Sequence, residues 1–247
     1  MCNEYRLRVS RGDYDSVFAE LGIPFAWADA EPNRPVERSF RPSNRATMIR
    51  AVDPTDPSAG LEGMERRWWM VPFFHKGPVS AWKAMCTNAR LETVDTTAAF
   101  REPYKRRRAL IPLTGFIEYD EPPEWKKGDA KRRWEISWTP RDEADRVRYF
   151  AGLWDVAHPS DHEGPLESFT FVTGAPGTAF STPMVDTGKP LHHRQARVLT
   201  LAQGLEWLRL DGSGKALLED PETEGGFVLS ERPREAEAVA EPSLPKP

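Results

Sequence analysis

Thiols are scarce in this chain. Cys2 and Cys86 are its only cysteines, too few for a disulfide framework or a thiolate-rich zinc or iron–sulfur site, and both are expected as free thiols. Histidines are few as well, five in 247 residues. His192 and His193 are adjacent, but no third ligand stands at a telling spacing, so no metal site is expected. No apolar run is long enough to span a bilayer and mean hydropathy is −0.62, which excludes a membrane-spanning helix and predicts a soluble chain. The opening Met-Cys-Asn-Glu-Tyr-Arg lacks the basic-then-apolar pattern of a signal or transit peptide, so the expected location is the cytoplasm. Charge of neither sign dominates: 34 Lys and Arg against 38 Asp and Glu leave −4. That excludes a chain basic all over and still permits a local basic groove.

Proline, by contrast, is abundant, 23 of 247 residues, and suits turns and sheet edges rather than helix interiors, which argues against a long helical bundle. Strand-length apolar or alternating runs stand at Asn3–Val9, Ala46–Val52, Arg67–Pro72, Ala109–Leu113, Phe116–Tyr119, Trp134–Trp138, Arg148–Trp154, Ser168–Val172 and Arg197–Thr200. The second and third, separated by the turn-forming stretch 53–63, are expected to pair as a hairpin, and Pro24–Asn44 reads as irregular. Helical signals are short: a first helix capped by Asp13 and stopped at Gly22, then Thr97–Arg101, Gly177–Thr182, Ala202–Leu210 and Gly214–Leu218. The expected class is α+β: one domain over 1–230 with a curved, mainly antiparallel, barrel-like sheet and a few flanking helices. The remaining stretch, 231–247, lacks periodic apolar residues and is expected to be a disordered tail.

Four places carry candidate chemistry. Removal of Met1 would leave Cys2 with a free α-amine and a thiol on one backbone unit, a 1,2-aminothiol that captures aldehydes as a thiazolidine. The other reading is a chance cysteine in a loose terminus. Asn88-Ala89-Arg90-Leu91-Glu92-Thr93 sets an amide and a guanidinium two residues apart, suited to orienting a substrate and holding a phosphate, or is a plain polar loop. Glu118 lies in the strand-like run Gly115-Phe116-Ile117-Glu118-Tyr119, where desolvation would raise its pKa for acid–base work, unless it faces solvent. His192 precedes a strand and is the best-placed histidine, or half of a neutral surface pair. Arg101, Lys105, Arg106, Arg107 and Arg108 with Tyr104, and Arg66, Arg67, Trp68 and Trp69, interleave cations with aromatics as single-strand nucleic-acid binding requires. Such runs are also ordinary solvated faces, with Trp68 or Trp69 in the core.

Taken in order, Met1-Cys2, Trp68 with Val71-Pro72, Asn88-Ala89-Arg90-x-Glu92-Thr93, Gly115-Phe116-x-Glu118 and His192-x-Arg194 resemble the SRAP (SOS-response-associated peptidase) family over most of Met1 to Leu210. The resemblance implies a sensor of abasic sites in single-stranded DNA that crosslinks covalently through Cys2 during the DNA damage response. It implies a catalytic set of Cys2, Asn88, Glu118 and His192, phosphate contacts at Arg90 and Arg194, and a DNA-facing set of Arg67, Trp68, Trp69, Pro72 and Tyr119. Glu118 would take the proton released as the amine attacks the ring-opened sugar aldehyde, His192 would protonate the sugar oxygen, and Asn88 would hold the reacting atoms. No cofactor is required, and a monomer is expected, gathering at the nucleoid when DNA is damaged. Departures fall at Asn3 and Trp69, where the family carries glycine, at Tyr119 for tryptophan and Ala196 for proline. Phe40-Arg41-Pro42-Ser43 replaces a Tyr-Asn-x-Ala-Pro segment. Two rivals remain: a thiol peptidase using Cys2 and His192, acting on other peptides or only on its own Met1, and a non-catalytic nucleic-acid-binding module.

Overall fold

The computed structural model describes residues 2–30, 36–211, 214–221 and 226–232. Fourteen strands and five short α-helices follow one another among these residues: β1 (Glu4–Arg8), α1 (Arg11–Glu20), β2 (Phe25–Trp27), β3 (Glu37–Phe40), β4 (Arg45–Ala51), β5 (Leu61–Trp68), β6 (Asn88–Arg90), α2 (Arg101–Arg106), β7 (Arg108–Leu113), β8 (Gly115–Asp120), β9 (Arg132–Ser137), β10 (Arg148–Ala157), β11 (Leu166–Gly174), α3 (Thr178–Ser181), β12 (Gln195–Ala196), β13 (Val198–Leu199), α4 (Leu201–Leu208), α5 (Gly214–Leu217) and β14 (Val228–Arg232).

Five strands close on themselves. β11 pairs with β10, β10 with β7, β7 with β4 and β4 with β5, and β5 returns to β11 through the parallel register Ser168↔Arg67 and Phe169↔Trp68. This is the barrel expected from the sequence. β7 is buried along its whole length, as a strand with neighbours on both edges should be. A second sheet, ordered β14-β9-β8-β1-β3, lies against it. The two share one aromatic core: Phe150 stacks on Phe171 at 4.2 Å, Trp68 meets Phe171 at 5.2 Å, and Tyr5 of β1 reaches Trp68 at 5.4 Å and Phe150 at 5.6 Å. Tyr5 therefore pins the start of the chain onto the barrel, which fixes where Cys2 can lie.

Several expectations need adjustment. Ser10, not Asp13, is the N-cap of α1; Asp13 is its capping-box partner, accepting from the Ser10 N–H at 2.5 Å. Gly22 does end that helical stretch, at φ 67°. The helix expected at Thr97–Arg101 forms instead at Arg101–Arg106. The β4–β5 hairpin is present, but β5 begins at Leu61 and stops at Trp68, because Trp69 turns to φ 103°, outside the strand region. The stretch read as irregular contains β2 and β3. The last strand runs to Arg232, two residues into the segment read as tail; 233–247 lies outside the described residues. No helix among the described residues is long and apolar enough to cross a membrane.

Trp69 sits in a backbone conformation that glycine adopts freely and L side chains adopt at a cost of about 1–2 kcal/mol. Its indole N–H donates to the Ala84 carbonyl at 2.9 Å, a bond that offsets part of that cost. Trp69→Gly is therefore expected to be more stable than Trp69→Ala by about 1 kcal/mol, since both lose the indole and only one keeps the strained Cβ. Chemical denaturation of the two variants reads the difference.

Candidate active site

The start of β1 brings the chain's first residues beneath β8. Glu4 registers with Ile117 and Tyr5 with Phe116, so the segment leading into β1 runs alongside Glu118. Cys2 is 1% exposed and its thiol donates to the Glu4 carbonyl at 3.4 Å. β6 enters from the barrel side, parallel to β11 with Asn88 opposite Phe171, and the Asn88 amide donates to the Cys2 carbonyl at 3.4 Å and to the Thr87 hydroxyl at 3.1 Å. The amide oxygen of Asn88 is buried with no partner among the described residues, an acceptor left for a substrate N–H or O–H.

The titrating groups influence one another. Burial lifts the Cys2 thiol well above its usual range and the charge of Glu118 lifts it further, so the thiol is held protonated. Glu118 is 2% exposed; burial pushes its carboxyl up to about 7, against the smaller pull of the chain's positive N-terminal amine. His192 moves the other way, down to about 4, through burial first, then the same amine and His193, whose ring stacks on it at 4.4 Å. His192 Nδ1 lies 3.0 Å from the Arg194 N–H and 3.1 Å from the Arg194 carbonyl, so the Arg194 backbone holds the ring in place through that nitrogen. The family resemblance implies that His192 protonates the sugar oxygen. At neutral pH the ring is uncharged and offers a hydrogen bond instead, because burial and a neighbouring cation disfavour a second positive charge.

Arg90 and Arg194, both read as phosphate contacts, differ in setting. Arg90 is exposed and makes no ion pair among the described residues. Arg194 is forked onto Glu92, at 3.1 and 2.9 Å, and donates to the Thr173 carbonyl at 2.7 Å, so its charge is already engaged and its backbone orients His192. Glu92 lies in the same polar segment as Arg90, yet its partner is 102 residues away, a pairing that no local pattern signals. Glu4 was likewise missed. It is 2% exposed and accepts from Ser39 at 2.8 Å, from the Tyr119 hydroxyl at 2.9 Å and from Arg133, which ties β1 to β3, β8 and β9 just behind Cys2. Burial alone would raise its carboxyl; the Ser39 and Tyr119 donors, with Arg133 and Arg41, bring it below its ordinary value.

Three residues of the expected DNA-facing set are turned inward. Trp68 has no exposed surface and donates to the Thr87 carbonyl at 2.9 Å; a side chain of that size is worth about 3–5 kcal/mol to the fold. Arg67 is buried on the opposite face of β5 against the Ser43 hydroxyl at 3.3 Å, and Pro72 is buried. The reason is common to the first two: β5 is covered on both faces, so neither member of an alternating pair reaches solvent. Trp69 and Tyr119 are half-buried at the surface. Among the described residues no three His, Cys, Asp or Glu side chains converge as metal ligands do.

The family model for SOS response associated peptidase (SRAP) matches residues 1–225. The chain belongs to the SRAP family. Among curated relatives it is similar to "Abasic site processing protein YoaM" of Bacillus subtilis, 30% identical over 143 residues, covering 58% of this chain and 54% of that protein. It is similar also to "Abasic site processing protein YMR114C" of Saccharomyces cerevisiae, 26% identical over 189 residues, 70% of this chain and 47% of that one. The SRAP chain described here thus spans about half the length of the curated relatives it matches. A crystal structure of a protein from Bacteroides thetaiotaomicron shares the fold at a TM-score of 0.70 and 20% identity, covering 93% of this chain and 91% of its own. Another from Bordetella bronchiseptica does so at 0.69 and 19%, covering 94% and 100%.

Proposed function

We propose that this SRAP protein captures abasic sites in single-stranded DNA as a covalent thiazolidine on Cys2. The observation that carries the reading is the gathering of Cys2, Asn88 and Glu118 in one buried site, in a family whose curated relatives are named for abasic-site processing.

Once Met1 is removed, the α-amine of Cys2 attacks C1′ of the ring-opened deoxyribose: a C–N bond forms, the C=O π bond breaks onto oxygen, and Glu118 carries one nitrogen proton to that oxygen, giving the carbinolamine. A carboxyl poised near neutrality then carries the second nitrogen proton to the carbinolamine hydroxyl, which leaves as water and gives the neutral imine. The neutral imidazole of His192 donates a hydrogen bond to the sugar oxygen, holding the ring open without a proton transfer from an imidazolium. The thiol adds last: sulfur bonds to the imine carbon and its proton goes to nitrogen, closing the thiazolidine with one water released overall. A protonated thiol suits this order, since an early thiolate would give only a labile hemithioacetal. The same pKa directions speak against the thiol-peptidase rival, which needs a lowered thiol beside a raised imidazole. Residues 1–230 would carry the activity, as a monomer without cofactor, in the cytoplasm and at damaged DNA.

The test is a denaturing gel with two oligonucleotides. A single-stranded abasic site should give a heat-stable shifted band, and the same site reduced to the alcohol should give none. Equal bands from both, or none from either, would overturn the reading. Arg90→Ala is expected to weaken binding to any sequence and to lower the salt slope of log K by about 0.7, the value for one phosphate contact on a single strand. Arg194→Ala, by freeing Glu92 and disturbing His192, should slow adduct formation even when DNA is saturating. Salt titrations and single-turnover rates separate the two.

A further inference from the structure

The family match ends at residue 225, and the chain continues past it into Phe227 and β14. β14 runs antiparallel to β9 as the edge strand of the second sheet, with Leu229 opposite Ile136 and Glu231 opposite Trp134. On its other side β9 pairs with β8 in the same frame, Ile136 opposite Phe116 and Trp134 opposite Glu118. The far end of β14 is fastened by Arg232, which donates to the buried Glu135 carboxylate at 3.0 Å. That carboxylate also takes Arg8 of β1 at 2.7 Å. The strand is therefore tied to the sheet at its end, and its start delivers the Phe227 ring.

Phe227 is half-buried and completes a triangle of rings. It meets Phe116 edge-on at 5.9 Å and Phe180 edge-on at 5.9 Å, while Phe116 and Phe180 lie parallel at 6.0 Å. Edge-on contact sets the positive rim of one ring on the negative face of the next, so the arrangement has a preferred geometry as well as buried area. Phe116 and Phe180 have no exposed surface, and each leads to the active site. Phe116 stands two residues before Glu118 on β8, and strand alternation puts both side chains on the same face. Phe180 belongs to α3, and its carbonyl accepts from the His192 N–H at 3.5 Å. With four residues and no side-chain cap, α3 is too short to hold itself in water, so its place depends on the packing of Phe180. The titrating groups that face Glu118 are the Cys2 thiol and the N-terminal amine, and Phe227 brings no charge to them. Its effect on that carboxyl is to exclude water.

We propose that Phe227 is a positioning residue of the active site: packed on Phe116 and Phe180 together, it locks the strand that bears Glu118 to the helical turn that supports His192. The proposal rests on the crosslinking reading for its chemistry, and two readouts on the full chain, one without DNA and one with it, keep the two apart. In a carbon-13 titration of the side-chain carboxyls, the Glu118 signal, identified by its loss in Glu118→Gln, should have a midpoint of about 7 in the parent. In Phe227→Ala, water reaches the carboxyl and the midpoint should fall by about one pH unit or more. The single-turnover rate of adduct formation at saturating abasic single-stranded DNA should fall about tenfold in the same variant, with affinity for the undamaged strand unchanged. Phe227→Tyr keeps the ring and should restore both rate and midpoint. Val228→Ala, at a side chain 45% exposed on the same strand, should change neither. Thermal melts show which variants are folded; should Phe227→Ala not be, Phe227→Leu keeps the bulk without the ring and should move both readouts in the same directions by smaller amounts. A folded variant lacking the ring that keeps the parental rate or the parental midpoint would overturn the proposal. If the parent gives no heat-stable adduct while the midpoint still falls in Phe227→Ala, the hold of Phe227 on Glu118 stands and the crosslinking reading fails.

Discussion

Glu118→Gln is expected to slow the formation of the heat-stable adduct by about a hundredfold or more while making the protein harder to unfold above neutral pH. The two effects share one cause. A carboxyl lifted from 4.5 to about 7 by burial keeps a proton in the folded state that the unfolded chain has already released. Below pH 4.5 both states are protonated and Glu118 has no effect on stability. Between 4.5 and 7 the folded state binds more protons, so stability falls as pH rises; above 7 the full penalty applies, about 3 kcal/mol at ~1.4 kcal/mol per pH unit. Glutamine has nearly the same shape and no charge to bury. Parent and variant should therefore unfold alike near pH 4 and diverge by about 3 kcal/mol at pH 8, the variant being the more stable. Denaturant titrations at the two pH values test this. Equal stabilities at pH 8 would mean that Glu118 is not held in a desolvated site, and its role as the proton carrier would lose its physical basis.

Cys2→Ala is expected to abolish the heat-stable adduct altogether, a loss of about a hundredfold or more, because the amine alone forms an imine that hydrolyses on heating. Cys2→Ser should behave in the same way in spite of its shape. Adding one residue ahead of Cys2 leaves the thiol and removes the amine, and should be equally inactive. The three together distinguish the aminothiol from either nucleophile alone, with a denaturing gel after heating and borohydride reduction of a parallel sample as the readouts. A borohydride-dependent band in Cys2→Ala would mark the trapped imine.

The sheet was legible where apolar alternation ran for four residues or more, as in β4, β7, β8 and β10. It was not legible in β6, which has three residues and gains its partner β11 from 83 residues downstream in a parallel register that local pattern does not encode. Trp68 and Arg67 show a second limit. Cations beside aromatics look like a nucleic-acid surface, but β5 is covered on both faces, and only the closure of the barrel through β11 reveals it. The exposed aromatics lie a few residues further on, at Phe73 and Phe74, in a stretch with no periodicity to flag it. In the site, the direction of the Glu118 shift followed from its apolar strand, and the residue types matched the family pattern. The neutral state of His192 did not follow, because it depends on burial and on the stacked His193 ring, which only the fold reveals. Glu92 and Arg194 each stood out as charged residues in a motif, and their pairing came only with the structure.

The most direct measurement is the intact mass of the purified protein before and after incubation with a single-stranded oligonucleotide bearing one abasic site. The expected result is a chain lacking Met1 that gains the mass of the oligonucleotide less one water, with the linkage located on the N-terminal peptide. An adduct on a chain that retains Met1, an adduct without the loss of water, or a linkage mapped to an internal lysine would contradict the assignment of the chemistry to the α-amine and thiol of Cys2.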